Sequence, residues 1–119
     1  MKIFNIVFIL FFLVSIEVAS QNNYVYNFKR YANEQGLSQS QVSDIEQDKM
    51  GRIWIATYSG GVTILDGISE TYINRQKGLP SFTTTSLYLD NDNNMWIGTG
   101  DGVCYYDGYS IKIPIVQEE

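Results

Sequence analysis

The sequence predicts an all-β chain in which one four-stranded antiparallel sheet is made twice, and three observations carry that prediction. First, one stretch is repeated: Gly36-Leu37, Asp48, Trp54-Ile55, Thr57, Gly61-Val62 and Asp66-Gly67 return as Gly78-Leu79, Asp90, Trp96-Ile97, Thr99, Gly102-Val103 and Asp107-Gly108. The offset is 78 − 36 = 42 through the tryptophans and falls to 107 − 66 = 41 after one residue is lost in the turn following Thr99. Second, from Tyr24 onward short runs of strand-forming residues alternate with Gly, Asp and Asn turn signals. Third, no stretch there sustains a helical period over about ten residues, so no long helix is expected. A repeat of this length marks a stacked or radial architecture, whose units cannot cover their apolar faces alone.

The elements follow in order. In the first unit the strands are expected over Val42–Gln47, Arg52–Thr57, Val62–Leu65 and Ser69–Asn74, separated by turns at Asp48-Lys49-Met50-Gly51, Ser59-Gly60-Gly61 and Asp66-Gly67. The second unit repeats them over Thr84–Leu89, Asn94–Thr99, Val103–Tyr106 and Tyr109–Ile115. Gly51, Gly60, Gly61, Gly67, Gly102 and Gly108 supply the positive φ that tight hairpins need, and Asp66-Gly67 and Asp107-Gly108 are strong hairpin dipeptides. Asp48 and Asp90 are placed to accept hydrogen bonds from the amides of the turn that follows each.

Four antiparallel strands per unit describe the blade of a β-propeller. Side chains alternate across a strand, so Trp54 and Ala56 share one face while Ile53 and Ile55 share the other. Both faces are apolar, and Met95 and Ile97 against Trp96 and Gly98 repeat the pattern. Each sheet therefore needs a partner on each side, as blades around an axis provide. A tryptophan buries on the order of 200 Å², worth several kcal/mol at about 25 cal/mol per Å².

The first twenty residues read as an export signal. Lys2 gives a positive start, residues 3–16 are nearly all Ile, Phe, Leu and Val, and Val18-Ala19-Ser20 ends in small residues before Gln21. That apolar run is shorter than the roughly twenty residues a bilayer demands, which favours a cleaved signal over an anchor. No cysteine stands at the cleavage position, so lipidation there is disfavoured. The predicted organisation is a signal peptide over 1–20, a lead-in strand over 21–35, one repeat over 36–77 and a second over 78–119. The exported part is small for a self-sufficient β core.

Charge and composition exclude several function classes. The 119 residues carry a net charge of −5, and the lysines and arginines are scattered, so no basic stripe exists to track a nucleic acid. Cys104 is the single cysteine and the chain has no histidine, which removes an intrachain disulfide and a Cys–His dyad together. Cys104 is expected to be a small apolar strand residue.

The residues Gly36-Leu37, Val42, Ile45, Gln47-Asp48, Gly51, Ile53-Trp54-Ile55-Ala56-Thr57 and Gly60-Gly61-Val62 closely resemble the two-component regulator propeller repeat. The second copy matches again through Gly78-Leu79-Pro80, Leu87, Asp90, Met95-Trp96-Ile97-Gly98-Thr99 and Gly102-Val103, and Tyr106-Asp107-Gly108 resembles the usual blade junction. Asn93 departs from the pattern where the first copy has Gly51, a mild change because asparagine tolerates that backbone region. The resemblance implies an extracytoplasmic propeller sensor of a histidine kinase or hybrid regulator, a class often responsive to saccharides and found also in some secreted proteins. It implies a small-molecule or saccharide ligand for the full-length protein, no cofactor, and membrane attachment only through segments downstream of these residues. Two blades fall short of the roughly four to eight that close a propeller. The next Gly-Leu is due at about position 119 or 120, where the sequence stops. The expectation is a piece of a longer protein or, less favoured, assembly with another subunit.

Candidate chemistry is sparse. Asp90, Asp92 and Asn94 set oxygen donors at alternate positions, as a calcium loop begins, with Asp101 at the twelfth place. Met95 at the sixth position, the strand-like Trp96-Ile97, and Lys49 and Arg52 in the matching turn favour a polar hairpin instead. An enzyme would have to use a carboxylate pair, yet Asp66 and Asp107 recur at one turn of each unit, as a copied structural part does. No catalytic residue is assigned, and a lyase or hydrolase would need active residues elsewhere. Among nine tyrosines, Tyr58 beside Gly60-Gly61 is the one expected in an exposed loop, where aromatic rings stack on sugars or anchor proteins. The reading is a non-catalytic sensor segment, with a secreted propeller scaffold for protein or carbohydrate binding as the alternative.

Overall fold

The computed structural model describes residues 28–38 and 41–115. The expected signal peptide lies outside the described residues, as does the lead-in strand as far as residue 27. Eight strands form two separate four-stranded antiparallel sheets in consecutive order. The first holds β1 (Val42–Gln47), β2 (Ile53–Thr57), β3 (Gly61–Leu65) and β4 (Glu70–Ile73); the second holds β5 (Thr84–Leu89), β6 (Met95–Thr99), β7 (Gly102–Tyr106) and β8 (Ile111–Lys112).

Three expectations need correction. The lead-in carries no strand over residues 28–32 and ends in a 3-10 turn at Asn33–Gln35, matched by Arg75–Lys77 between the sheets. Gly36 and Gly78 cap these turns at φ 98° and 96°, after which Leu37 and Leu79 plunge into buried positions. The fourth strand of the second sheet spans only Ile111–Lys112 instead of Tyr109–Ile115. Pro114 has no N–H to add to a ladder, so pairing stops short of it. Finally, Gly60 is not among the positive-φ glycines, and the aspartates of the Asp-Gly hairpins stay out of that region too. Gly67 and Gly108 take it instead, at φ 93° and 97°.

Repeat symmetry extends to irregularities. The ladder β1–β2 slips between Val42 and Asp44, and β5–β6 slips between Thr84 and Ser86, leaving Ser43 and Thr85 as equivalent bulges. The offset of 41 arises where the three-residue turn after Thr57 becomes a two-residue turn after Thr99. Asn93 takes φ 64° where Gly51 has 82°, so asparagine does serve in glycine's place.

The core is the seam between the sheets. Trp54, Ala56, Val62, Ile64 and Ile73 of the first sheet meet Leu87, Met95, Ile97 and Cys104 of the second, with Leu79 added from the connection between the sheets. Inner strands touch: β5 packs on β1 and β2, whereas no comparable contact joins the outer strands β4 and β8. The sheets thus splay outward from a common inner edge.

Matched residues measure what a neighbour contributes. Trp54, facing the seam, is 1% exposed, while Trp96, its equivalent on the far face of the second sheet, is half-buried and rests on Tyr105 with ring centroids 4.9 Å apart. On that far face Tyr88 is 64% exposed, and on the opposite outer face of the first sheet Ile45 is 58% exposed.

Candidate functional site

The best-determined polar group in each sheet is an aspartate after the inner strand. Asp48 Oδ1 accepts the Met50 and Arg52 amides, both at 3.0 Å, which closes the β1–β2 hairpin. Its Oδ2 accepts Arg52 Nε at 2.6 Å and the Trp54 indole N–H at 2.9 Å. Asp90 repeats this with the Asp92 and Asn94 amides at 2.9 and 2.8 Å, Asn94 Nδ2 at 3.3 Å and the Trp96 indole at 2.7 Å. One carboxylate therefore fixes both the hairpin and the indole. Burial raises the Asp48 pKa, but the Trp54 indole and the Arg52 side chain and amide outweigh it, so the group sits below the usual carboxylate range. The Trp96 indole and turn amides lower Asp90 likewise.

The seam has its own polar joint. Thr84 Oγ1 accepts the Thr57 amide at 2.9 Å and shares its proton between the Thr57 and Gly61 carbonyl oxygens at 2.8 and 3.0 Å. Ser43 Oγ donates to Thr84 O at 2.6 Å, and the Leu87 amide donates to Asp44 Oδ2 at 2.8 Å. The Gly61 amide donates to Phe82 O at 3.0 Å. These bonds set the angle and register at which the sheets meet.

Topology separates the residues singled out in the sequence. The turns β1–β2, β3–β4, β5–β6 and β7–β8 lie at one end of the sheets, and β2–β3, β6–β7 and the connection between sheets at the other. Asp90, Asp92 and Asn94 are at the first end and Tyr58 is at the second, so no single site contains both. Both oxygens of Asp90 are engaged with turn amides, Asn94 and the indole, and no group of three or more His, Cys, Asp or Glu with metal-holding geometry occurs among the described residues. Tyr58 is 54% exposed, its amide bonded to Gln41 O at 2.9 Å. Asp66 and Asp107 accept the amides of Ser69 and Ile68 and of Ser110 and Tyr109, which lowers both carboxyls. Cys104 is fully buried, and burial pushes its thiol up to about 11.

Two clefts open along the seam. The larger, about 370 Å³, runs between the outer strands and is lined by Arg52, Ile64, Thr71, Ile73, Lys77, Tyr106, Tyr109, Ser110 and Ile111. A smaller one of about 230 Å³ shares Arg52 and Tyr106 and adds Asp48, Trp54 and Met95. Sequence reading missed these residues, and it missed the aspartate–indole bond. The bond was signalled by a spacing of six from Asp48 to Trp54 and from Asp90 to Trp96.

Two splayed four-stranded antiparallel sheets, joined at their inner strands through a packed seam, define neighbouring blades of a β-propeller. Residues 36–59 and 78–101 match the family model described as "Two component regulator propeller". One matched stretch falls in each copy of the repeat. A 53-residue stretch, 44% of the chain, is 49% identical to histidine kinase P4 of Formosa agariphila and spans 4% of that kinase. The fold superposes on the extracellular domain assigned to the hybrid two component system BT3049 of B. thetaiotaomicron, with a TM-score of 0.64 and 27% identity. That alignment covers 71% of this chain and 12% of the solved one. Both relatives are thus many times longer than the part matched here.

Proposed function

We propose that these residues form a blade pair in the extracytoplasmic, ligand-sensing propeller of a two-component receptor, and that the pair is not itself catalytic. The observation that carries this reading is the repeat match on both blades together with a likeness to the extracellular domain of a hybrid two-component system. The geometry supports it: the buried polar groups, Asp48, Thr57, Thr63 and Thr84, bond to turns, strands or the neighbouring blade. Their chemistry is spent on rigidity. A rigid blade pair transmits a ligand's preference for one arrangement as a shift between receptor states.

Export is tested by fusing the chain to alkaline phosphatase, which is active only outside the cytoplasm. Activity that depends on residues 1–20 is expected, and an inactive fusion would refute the location. Sensing is tested in a full-length receptor carrying this segment. Deleting both blades should abolish ligand-dependent autophosphorylation while basal autophosphorylation persists, and retained ligand dependence would sink the sensory role.

A further inference from the structure

Where the two repeats agree, the shared residues build the blade: the aspartate–indole pins, the threonine turns and the capping glycines. The copies differ at most other positions, and four of those line the larger seam cleft. Arg52 stands where the second copy has Asn94, Lys77 where the first has Gln35, Tyr106 where the first has Leu65 and Tyr109 where the first has Ile68. The blade pattern does not require these residues, because Gln35, Leu65, Ile68 and Asn94 stand at the matching places of the other copy, which forms the same strands and turns. Asn94 even reproduces the bond to the turn aspartate that Arg52 makes.

The four residues share a chemistry. Arg52 uses Nε on Asp48 and sets its guanidinium carbon 5.8 Å from the Trp54 ring centroid, which orients the group and leaves both terminal nitrogens without a hydrogen-bond partner among the described residues. Lys77 is exposed and its ammonium has no hydrogen-bond or ion-pair partner among the described residues. Tyr106 leans on Trp54 at 5.5 Å between centroids and is half-buried, whereas Tyr109 is 92% exposed at the cleft's rim. Ile64 and Ile73 form an apolar floor. A planar guanidinium fork favours a carboxylate held through two parallel bonds, and ring walls over an aliphatic floor favour a flat apolar body.

We propose that the outer cleft between the blades is a binding site for a small aromatic carboxylate, with Arg52 holding the carboxylate, Lys77 adding positive charge, and Tyr106 and Tyr109 flanking the ring. The site adds a place and a ligand class to the sensory reading, on which it rests only for its physiological consequence.

The test is titration of the 119-residue chain with benzoate, followed by amide chemical shifts, with benzyl alcohol and acetate as one-feature controls. Saturable shifts confined to Arg52, Lys77, Tyr109 and Ile111 are expected, with half-saturation on the order of 10 mM for so small a probe, and neither control should saturate. Arg52→Asn and Lys77→Gln install the residues that the other repeat uses, so both should retain a dispersed spectrum. The first should weaken benzoate at least about tenfold and the second about threefold. Overturning results are absence of shifts at about ten times the expected half-saturation, shifts centred elsewhere, equal binding by either control, unchanged affinity in Arg52→Asn, or an undispersed spectrum of the unmutated chain. Failure here leaves the receptor deletion free to succeed, so the two readings fall separately.

Discussion

Replacing Asp48 with asparagine removes one negative charge and one acceptor while keeping the shape. The asparagine carbonyl still serves one pair of donors, but whichever way the amide turns, its NH2 faces another donor. With the carbonyl retained for the turn amides, the bonds lost are those to Arg52 Nε at 2.6 Å and the Trp54 indole at 2.9 Å. The first is partly solvated, Arg52 being about a third exposed, and is worth at most about 1 kcal/mol. The second strands an indole N–H on a residue that is 1% exposed, at a cost of about 2 kcal/mol. The expected loss is therefore about 2–3 kcal/mol, or roughly 10–20 °C in Tm for a domain of this size. Asp90→Asn breaks the matching indole bond and a longer one to the Asn94 amide, but Trp96 is half-buried and water reaches it, so its loss should be clearly smaller. Urea and thermal melts followed by tryptophan fluorescence on both variants give the comparison. Equal losses, or a loss below about 0.5 kcal/mol for Asp48→Asn, would refute the argument that burial of the indole sets the cost. Acid should act in the same direction. The folded Asp48 pKa is depressed, so its contribution is complete above the ordinary aspartate value of about 3.9 and disappears as pH falls through the lower folded value. Asp48→Asn should flatten that part of the stability profile.

Three further outcomes follow from the seam. Gly61→Ala places a Cβ 2.3 Å from Ile73 O at a backbone φ of 75°, so it should cost more than about 3 kcal/mol in chemical denaturation. Gly67→Ala, where no atom lies within 4 Å, should cost only about 1 kcal/mol of backbone strain. Thr84→Val keeps the shape but leaves the buried Thr57 amide without its Oγ1 acceptor, an expected loss of about 2 kcal/mol, whereas Val42→Ala at the exposed equivalent position should change stability by less than about 0.5 kcal/mol. Cys104, buried in the seam with its thiol pushed up to about 11, should react with an aromatic disulfide reagent only as fast as the blades separate. Instant labelling of the native chain would show that the seam is open.

The blade was legible in the sequence because its determinants are local and written twice. Val42–Gln47 and Thr84–Leu89 were placed without error, and every other strand but the eighth was placed to within a residue at each end, because Gly and Asp at fixed intervals leave hairpins few geometries. The requirement for a neighbour was legible from the apolar character of both faces, and the contrast between Trp54 and Trp96 bears it out. The bulges at Ser43 and Thr85 were not, since a bulge arises from a ladder mismatch rather than from a residue preference. The short eighth strand was misread because β-forming Ile113 and Ile115 outweighed Pro114. Among functional residues, Asp48 and Asp90 were recognised as turn formers but not as indole acceptors, a role that exists only once strand and turn are folded together. Arg52, Lys77, Tyr106 and Tyr109 lie apart along the chain, and the feature that unites them is a cleft between sheets.

The two outer faces of this pair are not alike: one presents Trp96, Tyr105 and Tyr88, the other Ile45. Their counterparts at the inner seam fit each other and not themselves. The joint is therefore directional, as in a row of identical clips, and a third module docks only in the same orientation as the second. A gene that copies one such module copies half of a working joint with it, so arrays lengthen without inventing a new contact. What limits their number is the turn per module, which brings the last face round to meet the first.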